Sequence, residues 1–505
     1  MKAVFIFTLL VTVCFTSNTS LIAQKILEEY GEVTAENKVL SHYFLYGTHE
    51  GKEILGHTKG DKIRVLENKN KVAHRKVAFK TKEGKALLNS VLLKRDEIVT
   101  LSLVISNKAE GIYLQTLNYD LTQKREPFKI SSLNEISKNS VPSVFRADIA
   151  SMKVFFNEEN ENISIVVTVE PNKDGAKKFI EIINLDSEYN VIGQPYVYFA
   201  ENTDNKVTVS QLAIHEDGTV AAVIQEKEEK FILGYTLAYM DLSGLEPLEV
   251  KVQPAYNQIG GLKLSNNTFD AKFSLSIFSV DSEEKSKGAI TVYEYNSDKH
   301  TVDSKVYGIN AEDLNKTEYE VKLEDYTVHE GHFLEDGSHI LTLSNSYDIT
   351  HYRNDGSIKV DYYEKGFIIL KIDKNQEIVW VSEVKRNATA SGYASALDVL
   401  TYYTEDGFME FIFNTNDKQF ETGSYSTNVG KSARFLAFKG TESFVPTKAT
   451  IDLSSGEVSI KEMTFGDKKV RALTTDEVEK GNEAGIYTIK AIVNKTPTLV
   501  KFDFK

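Results

Sequence analysis

Cysteine is nearly absent: Cys14 is the only one in 505 residues. It sits in an apolar run, Ala3 to Phe15, that follows Met1-Lys2 and leads through the polar stretch Thr16 to Ser20 to Leu21-Ile22-Ala23-Gln24. That pattern predicts a secretory signal peptide over residues 1–23, cleaved after Ala23. A lipoprotein leader would lipidate Cys14, but Val13 precedes it where a small residue is wanted, and the apolar run continues beyond it. The mature chain from Gln24 then carries no cysteine, which excludes disulfides, a thiolate nucleophile and cysteine-ligated metal. Long apolar runs are missing too. No later stretch approaches the roughly 18 consecutive apolar residues of a membrane helix, so the exported product is not expected to span a membrane. There is no basic excess: 59 Lys and Arg stand against 73 Asp and Glu, a net charge of −14 that becomes −15 when Lys2 leaves with the leader. Duplex binding needs a basic patch that displaces counterions, so nucleic acid is not an expected partner. Finally, no linker rich in Pro, Gly or Ser divides the chain, and residues 24–505 read as one domain in the periplasm or outside the cell, monomeric.

What the chain does have is a repeated turn. QLAIHEDGTVAAVI carries Glu216, Asp217 and Gly218; HFLEDGSHILTL carries Asp336 and Gly337; LTYYTEDGFMEFIF carries Asp406 and Gly407. Asp-Gly supplies the positive φ of a tight hairpin, and the flanks read as strands. With the turn allowed to vary, apolar strands after it are expected at Ile98–Ile105, Ile163–Val169, Val220–Ile224, Phe273–Phe278, His339–Leu343, Met409–Phe413 and Ile486–Val493, with a weaker one at Tyr43–Tyr46. Each is followed by a partner strand, such as KFIEIINLD, AITVYEYN, RFLAFKG or LVKFDF. Successive units lie roughly 50–75 residues apart, enough for an antiparallel meander of strands a, b, c and d.

One such meander buries too little surface to stand alone, and meanders packed radially make a β-propeller. The fold class is therefore all-β, a propeller of seven or eight four-stranded blades. Its ring would be closed by the C-terminal hairpin together with an N-terminal segment near Ile26–Val39. A stack of β-sandwiches is the alternative, and only the missing linkers argue against it. Helical pattern is confined to Thr475–Gly481 and the segment after Gln24. In a meander the b–c and d–a connections share one face. Here those are the long ones: Val280–Gly288, Ser346–Gly366, Asn414–Ala433 and Lys385–Ala394. Long loops on a rigid scaffold favour binding, so the ligand is expected on that face.

Catalytic and metal motifs are incomplete. Gly430-Lys431-Ser432 resembles the end of a phosphate loop, but Tyr425 stands where its first glycine belongs. His329-Glu330-Gly331-His332 would share a metal on a helix; on a strand the two imidazoles face opposite sides. Asp348, Thr350, Asn354, Asp355 and Gly356 have calcium-loop composition without its spacing, and read as a hairpin turn at Asn354-Asp355-Gly356. Acidic runs at Glu226-Lys227-Glu228-Glu229 and Asp281-Ser282-Glu283-Glu284 read as solvated turns. Neither metal nor cofactor is expected.

Residues 366–420 resemble uncharacterised exported β-propeller proteins of the Bacteroidetes. The resemblance rests on a c-strand ending in Asp373, a d-strand bearing Trp380, a basic d–a loop at Lys385 and Arg386, and an Asn-Asp-rich loop at Asn414, Asn416 and Asp417, with Thr415 interrupting the pattern. It implies lineage and fold, and no activity. The tail AGIYTIKAIVNKTPTLVKFDFK resembles the C-terminal sorting domain of type IX secretion, without its upstream Pro-Asn-Pro element, and is read instead as the last propeller hairpin. Alternation of loop ends places Lys385, Arg386, Asn414, Asn416 and Asp417 on one face. They are the candidate site for a carboxylate-bearing or hydroxyl-rich ligand, or a network tying two loops. The expected function is a non-enzymatic binding or scaffold propeller of the bacterial envelope, taking an envelope protein, peptide or glycan. The alternative is a glycan-processing hydrolase or lyase with carboxylates meeting at the propeller axis.

Overall fold

The computed structural model describes residues 43–503 apart from some turns and connections, chiefly 78–85, 133–148, 315–321, 392–398, 417–425 and 430–443. The expected leader, the closing segment near Ile26–Val39, the Gly430-Lys431-Ser432 and RFLAFKG stretches, the turn at Asn354-Asp355-Gly356, and Asp417 lie outside the described residues.

Among the described residues the strands form eight sheets. The first holds β1 (Tyr43–His49), β2 (Lys52–His57), β3 (Lys62–Glu67) and β4 (Asn70–Lys76); the second, β5 (Ala86–Leu93), β6 (Ile98–Ile105), β7 (Glu110–Leu117) and β8 (Gln123–Ser132). The third holds β9 (Ile149–Phe156), β10 (Ile163–Val169), β11 (Phe179–Leu185) and β12 (Tyr196–Phe199); the fourth, β13 (Lys206–Ile214), β14 (Val220–Glu228), β15 (Phe231–Met240) and β16 (Leu248–Lys251). The fifth holds β17 (Gln258–Asn266), β18 (Phe273–Val280), β19 (Lys287–Asn296) and β20 (Thr301–Asn310). The sixth holds β21 (Thr327–Phe333), β22 (His339–Tyr352), β23 (Ile358–Ile372) and β24 (Ile378–Ser391), and β27 (Ser426–Val429) joins it in parallel beside β24. The seventh holds β25 (Leu400–Tyr403), β26 (Phe408–Asn416), β28 (Phe444–Asp452) and β29 (Val458–Glu462); the eighth, β30 (Val470–Lys480), β31 (Ile486–Val493) and β32 (Thr496–Asp503).

Apolar clusters fill the spaces between consecutive sheets. Val99 and Leu101 of the second meet Ile163 and Ile165 of the third, whose other face sets Ile180 and Ile182 against Val207 and Val220 of the fourth. The series continues to the seventh sheet, where Phe367 of β23 stacks on Phe411 of β26 with ring centroids 5.3 Å apart. Strands covered on both faces need no polar alternation, which is why every residue of β10 and β11 is buried and both are mainly apolar. Meanders stacked face to face in chain order, first strands side by side, are the blades of a β-propeller. From β1 to β21 each first strand lies beside the next, and β30 lies against β25, β26 and β28 of the seventh sheet and against β1 of the first.

The repeated turn has one geometry. His215 N–H donates to Thr219 O and Gly218 N–H to His215 O; Leu334 with Ser338, and Thr404 with Phe408, repeat the pattern. Gly218, Gly337 and Gly407 take φ of 88°, 77° and 83°, whereas Asp217 does not have positive φ. This is a type I turn closed by a glycine bulge, so only the glycine needs the left-handed region.

A second device is invisible in composition. The pairing of the first strand with the second shifts by one residue between Leu45 and Gly47, Leu88 and Ser90, Val209 and Gln211, Ile259 and Gly261, and Val328 and Glu330. Each bulge sharpens the twist of the strand that runs beside its neighbour's first strand. At Gly260 the next sheet comes so close that a Cβ would lie 2.8 Å from Tyr326 O. Around these bulges side chains cross to the next first strand: Asn89 Nδ2 to Met152 O (3.4 Å), Lys153 Nζ to Val209 O (3.3 Å), Gln211 Nε2 to Leu262 O (2.7 Å) and Ser265 Oγ to Gly331 O (2.9 Å).

Four expectations are corrected. Tyr43–Tyr46 belongs to the first strand of its sheet, and β2 is the second. The third strand of the seventh sheet is β28, paired with β26 from Phe408↔Asp452 to Asn416↔Phe444. Thr475–Lys480 is strand within β30, not helix. Ser346–Gly366 and Lys385–Ala394 are not simply loops: β22 and β23 run on as a paired ribbon beyond bulges at Ser344/Ser346 and Glu364/Gly366, and β24 follows them to Ser391.

Candidate functional site

The ends of three first strands enclose a cavity of about 460 Å³. Phe155 and Phe156 close β9, Leu212, Ala213 and Ile214 close β13, and Leu264 and Asn266 close β17; Asn157, Glu158 and Glu159 come from the turn after β9. These segments are more than 45 residues apart in sequence. The repeat brings them together, because each is the same point of its sheet.

Carboxamides hold the walls. Asn157 Nδ2 donates to Ile214 O at 2.7 Å and Asn266 Nδ2 donates to the same oxygen at 3.2 Å, while Asn160 Nδ2 reaches His215 O and Glu216 O, both at 2.8 Å. Asn157 Oδ1 accepts Glu159 N–H at 2.8 Å, so its side chain is engaged at both ends. Apolar surface is thus fixed behind a rim bearing the Glu158 and Glu159 carboxylates. The cavity opens on the face of the a–b turns, opposite the face where long connections led us to expect the ligand.

The five sequence candidates do not sit in loops where the structure describes them. Lys385 and Arg386 are inside β24, Asn414 is inside β26, and Asn416 is its last residue. Arg386 is only 2% exposed, with its guanidinium carbon 5.3 Å from the centre of the Phe413 ring, and Asn414 is buried. Trp380, five residues before Lys385, donates from Nε1 to Leu453 O at 3.3 Å and so ties the sixth sheet to the seventh. Asp373 caps its turn, accepting from Asn375 N–H at 2.8 Å and Glu377 N–H at 2.9 Å, bonds that hold its carboxyl below the usual carboxylate range.

On the long-connection face the sequence contributes a different feature. Phe231, Ile232 and Leu233 begin β15 in the open, Phe231 at 74% exposure, and Tyr352 at the far end of β22 is 80% exposed. Tyr347 and Tyr363 stack across the ribbon, ring centroids 4.8 Å apart.

The strongly displaced titrating groups lie between sheets and not in the cavity. Burial alone pushes the Glu181 carboxyl of β11 up to about 8. Burial lowers His332 and His339, the latter to about 3, and raises Glu330; His329 is lowered to about 4, first by burial and then by the Lys263 and Arg386 charges. Among the described residues no group of three or more His, Cys, Asp or Glu comes together as a metal site. The sequence motif at 329–332 had pointed to these imidazoles; nothing in it pointed to the cavity, whose signal is the residues preceding each repeated turn.

No protein-family model matches the chain, and no curated protein matches it. Among solved structures it is similar to the WD40 domain of SCAP from fission yeast, at 9% identity and TM-score 0.33 over 94% of this chain and 97% of that one. A protein of unknown function from Bacteroides caccae is similar at 11% identity and TM-score 0.24, over 68% and 93% of the two chains. The α-L-arabinofuranosidase Arb93A from Fusarium graminearum is similar at 11% identity and TM-score 0.25, over 59% and 93%. Likeness at this level carries no argument about activity.

Proposed function

We propose that the eight sheets close into one ring, with the eighth seated between the seventh and the first, and that the mature chain is an exported, non-enzymatic binding propeller of the bacterial envelope. The cavity at the a–b end carries this reading. Its volume falls in the range of small-ligand sites, roughly 300–1,000 Å³, and its lining is mixed, with Phe155, Leu212 and Leu264 beside Asn157, Glu158, Glu159 and Asn266. Such a site suits a peptide side chain or sugar ring whose amine or hydroxyl groups turn toward Glu158 and Glu159.

The hydrolase or lyase reading needs two carboxyl groups facing each other across a bound sugar, about 5–10 Å apart. Here both carboxylates come from adjacent residues of one turn, and the carboxamides that could assist are bonded to backbone. Binding is therefore favoured over turnover.

Leu212→Trp, which fills the cavity from β13, tests the site. On peptide and glycan arrays the native chain is expected to score, and the variant to bind at least about tenfold more weakly with its melting temperature within a few degrees. Turnover in a hydrolase screen would contradict the reading. Binding that survives Leu212→Trp but is lost on Phe231→Ser would move the site to the long-connection face.

A further inference from the structure

Four of the chain's ten histidines lie on two neighbouring strands of the sixth sheet, and three of them, His329, His332 and His339, gather toward the turn that joins those strands. His329 is the bulged residue of β21, its ring 5.2 Å from that of Phe367. His332 stacks on Tyr403 of β25, ring centroids 3.9 Å apart at 17°, and so makes the aromatic contact between the first strands of the sixth and seventh sheets. His339 opens β22 opposite Phe333 and stacks on it at 4.3 Å and 6°. It is 3% exposed, and neither ring nitrogen has a hydrogen-bond partner. Gly331 lets the two strands approach: a Cβ there would lie 2.9 Å from His339 Nε2.

The charged or titrating groups around the cluster are Lys263 of β17, Arg386 of β24, Glu330 of β21 and Tyr403 of β25. Two are cations, placed against His329. A proton added to His339 meets no acceptor, and one added to His329 meets like charge.

We propose that this cluster makes the first-strand edge of the sixth sheet, with His332 against the seventh sheet and His339 on the face of β22 that meets the fifth, an acid-sensitive latch, closed by neutral imidazoles and loosened by their protonation before the rest of the ring responds. The direction follows from linkage. An unfolded or opened segment takes up a proton on each imidazole below about pH 6.5, whereas in the closed latch burial lowers all three, His329 and His339 farthest. Closure is therefore fully stabilised above that pH and weakens as pH falls toward the values of the closed state, by up to about tenfold in the opening equilibrium per imidazole per pH unit. Other groups titrate elsewhere or oppose the effect. Asp336, in the β21–β22 turn, is held below the ordinary carboxylate range chiefly by Ser338, so it responds at lower pH; Glu330, raised by burial, is favoured by acid. The cluster reaches the cavity wall through the fifth sheet, since Ser265 of β17 lies between the lining residues Leu264 and Asn266 and donates to Gly331 O.

Hydrogen exchange of the full chain at pH 7.5 and pH 5.5, corrected for intrinsic rates, reads the latch directly. Segments 327–344 and 399–413 are expected to lose at least about tenfold more protection than segment 206–240 of the fourth sheet. In the double variant His332→Gln, His339→Gln this extra loss should shrink severalfold. Uniform loss in all three segments, or none at 327–344, overturns the proposal. So does a folded double variant with unchanged pH dependence. If the double variant does not fold, the comparison within the native chain decides.

Discussion

Arg386→Ala is expected to lower the unfolding free energy by on the order of 3 kcal/mol, the scale of a large buried side chain cut back in a packed interior, without weakening ligand binding. The guanidinium is sealed between the sixth and seventh sheets over Phe413, so its place in the structure is that of a packing element and not of a ligand contact. Arg386→Met keeps the stem against the ring and should cost less than half as much. Equilibrium denaturation of the two variants separates these effects. Unchanged stability in Arg386→Ala together with lost binding would restore the reading of Lys385, Arg386, Asn414, Asn416 and Asp417 as a ligand site.

Glu181→Met should act in the opposite sense, raising stability near neutral pH. Glu181 is 2% exposed, pairs with Val167 and Val197, and shares its face of β11 with Phe179 and Ile183. Its Oε2 has no hydrogen-bond partner, and burial lifts the carboxyl to about 8, far above the ordinary carboxylate range. The folded chain therefore holds it neutral while the unfolded chain ionises it. Stability is highest below the unfolded value and declines as pH rises toward the folded one, a loss on the order of 3 kcal/mol by pH 7. A methionine of similar length removes that loss. Urea denaturation at pH 5, 6, 7 and 8 should show the native chain losing stability relative to the variant at each step. Parallel curves would mean that the carboxyl is hydrated.

Both of these residues show where reading the sequence reaches and where it stops. Strands covered on both faces are legible because burial leaves a mainly apolar run, as at Ile98–Ile105 and Ile163–Val169, which coincide with β6 and β10; Ile486–Val493 likewise coincides with β31. The turn glycines are legible because only glycine takes positive φ there at low cost. The β22–β23 ribbon was read as a loop because its strands are exposed and polar, as in NSYDITHY, and a solvated strand lacks the pattern that marks a buried one. β28 contains Pro446, opposite Asn414, and is less apolar than RFLAFKG before it, so the wrong segment was taken as the partner of β26. Lys385 and Arg386 break the apolar pattern and suggested a strand end, yet β24 continues past them with Arg386 turned inward. The cavity escaped for a different reason. It has no motif, only the register by which three repeats align.

That alignment is one arc of the proposed ring. The bulged first strands and their side-chain crossings complete a ring only if the eighth sheet also meets the first. A nitroxide pair measures this in a Cys14→Ser background, because Cys14 is the chain's one native cysteine. Cysteines introduced at Glu50, in the turn after β1, and at Lys480, the last residue of β30, place both labels at the same end of neighbouring first strands. Sheets packed face to face lie about 10 Å apart, so pulsed dipolar spectroscopy should return a narrow distribution at about 10–25 Å once label arms are included. A broad distribution centred beyond about 40 Å, several sheet spacings, would contradict closure.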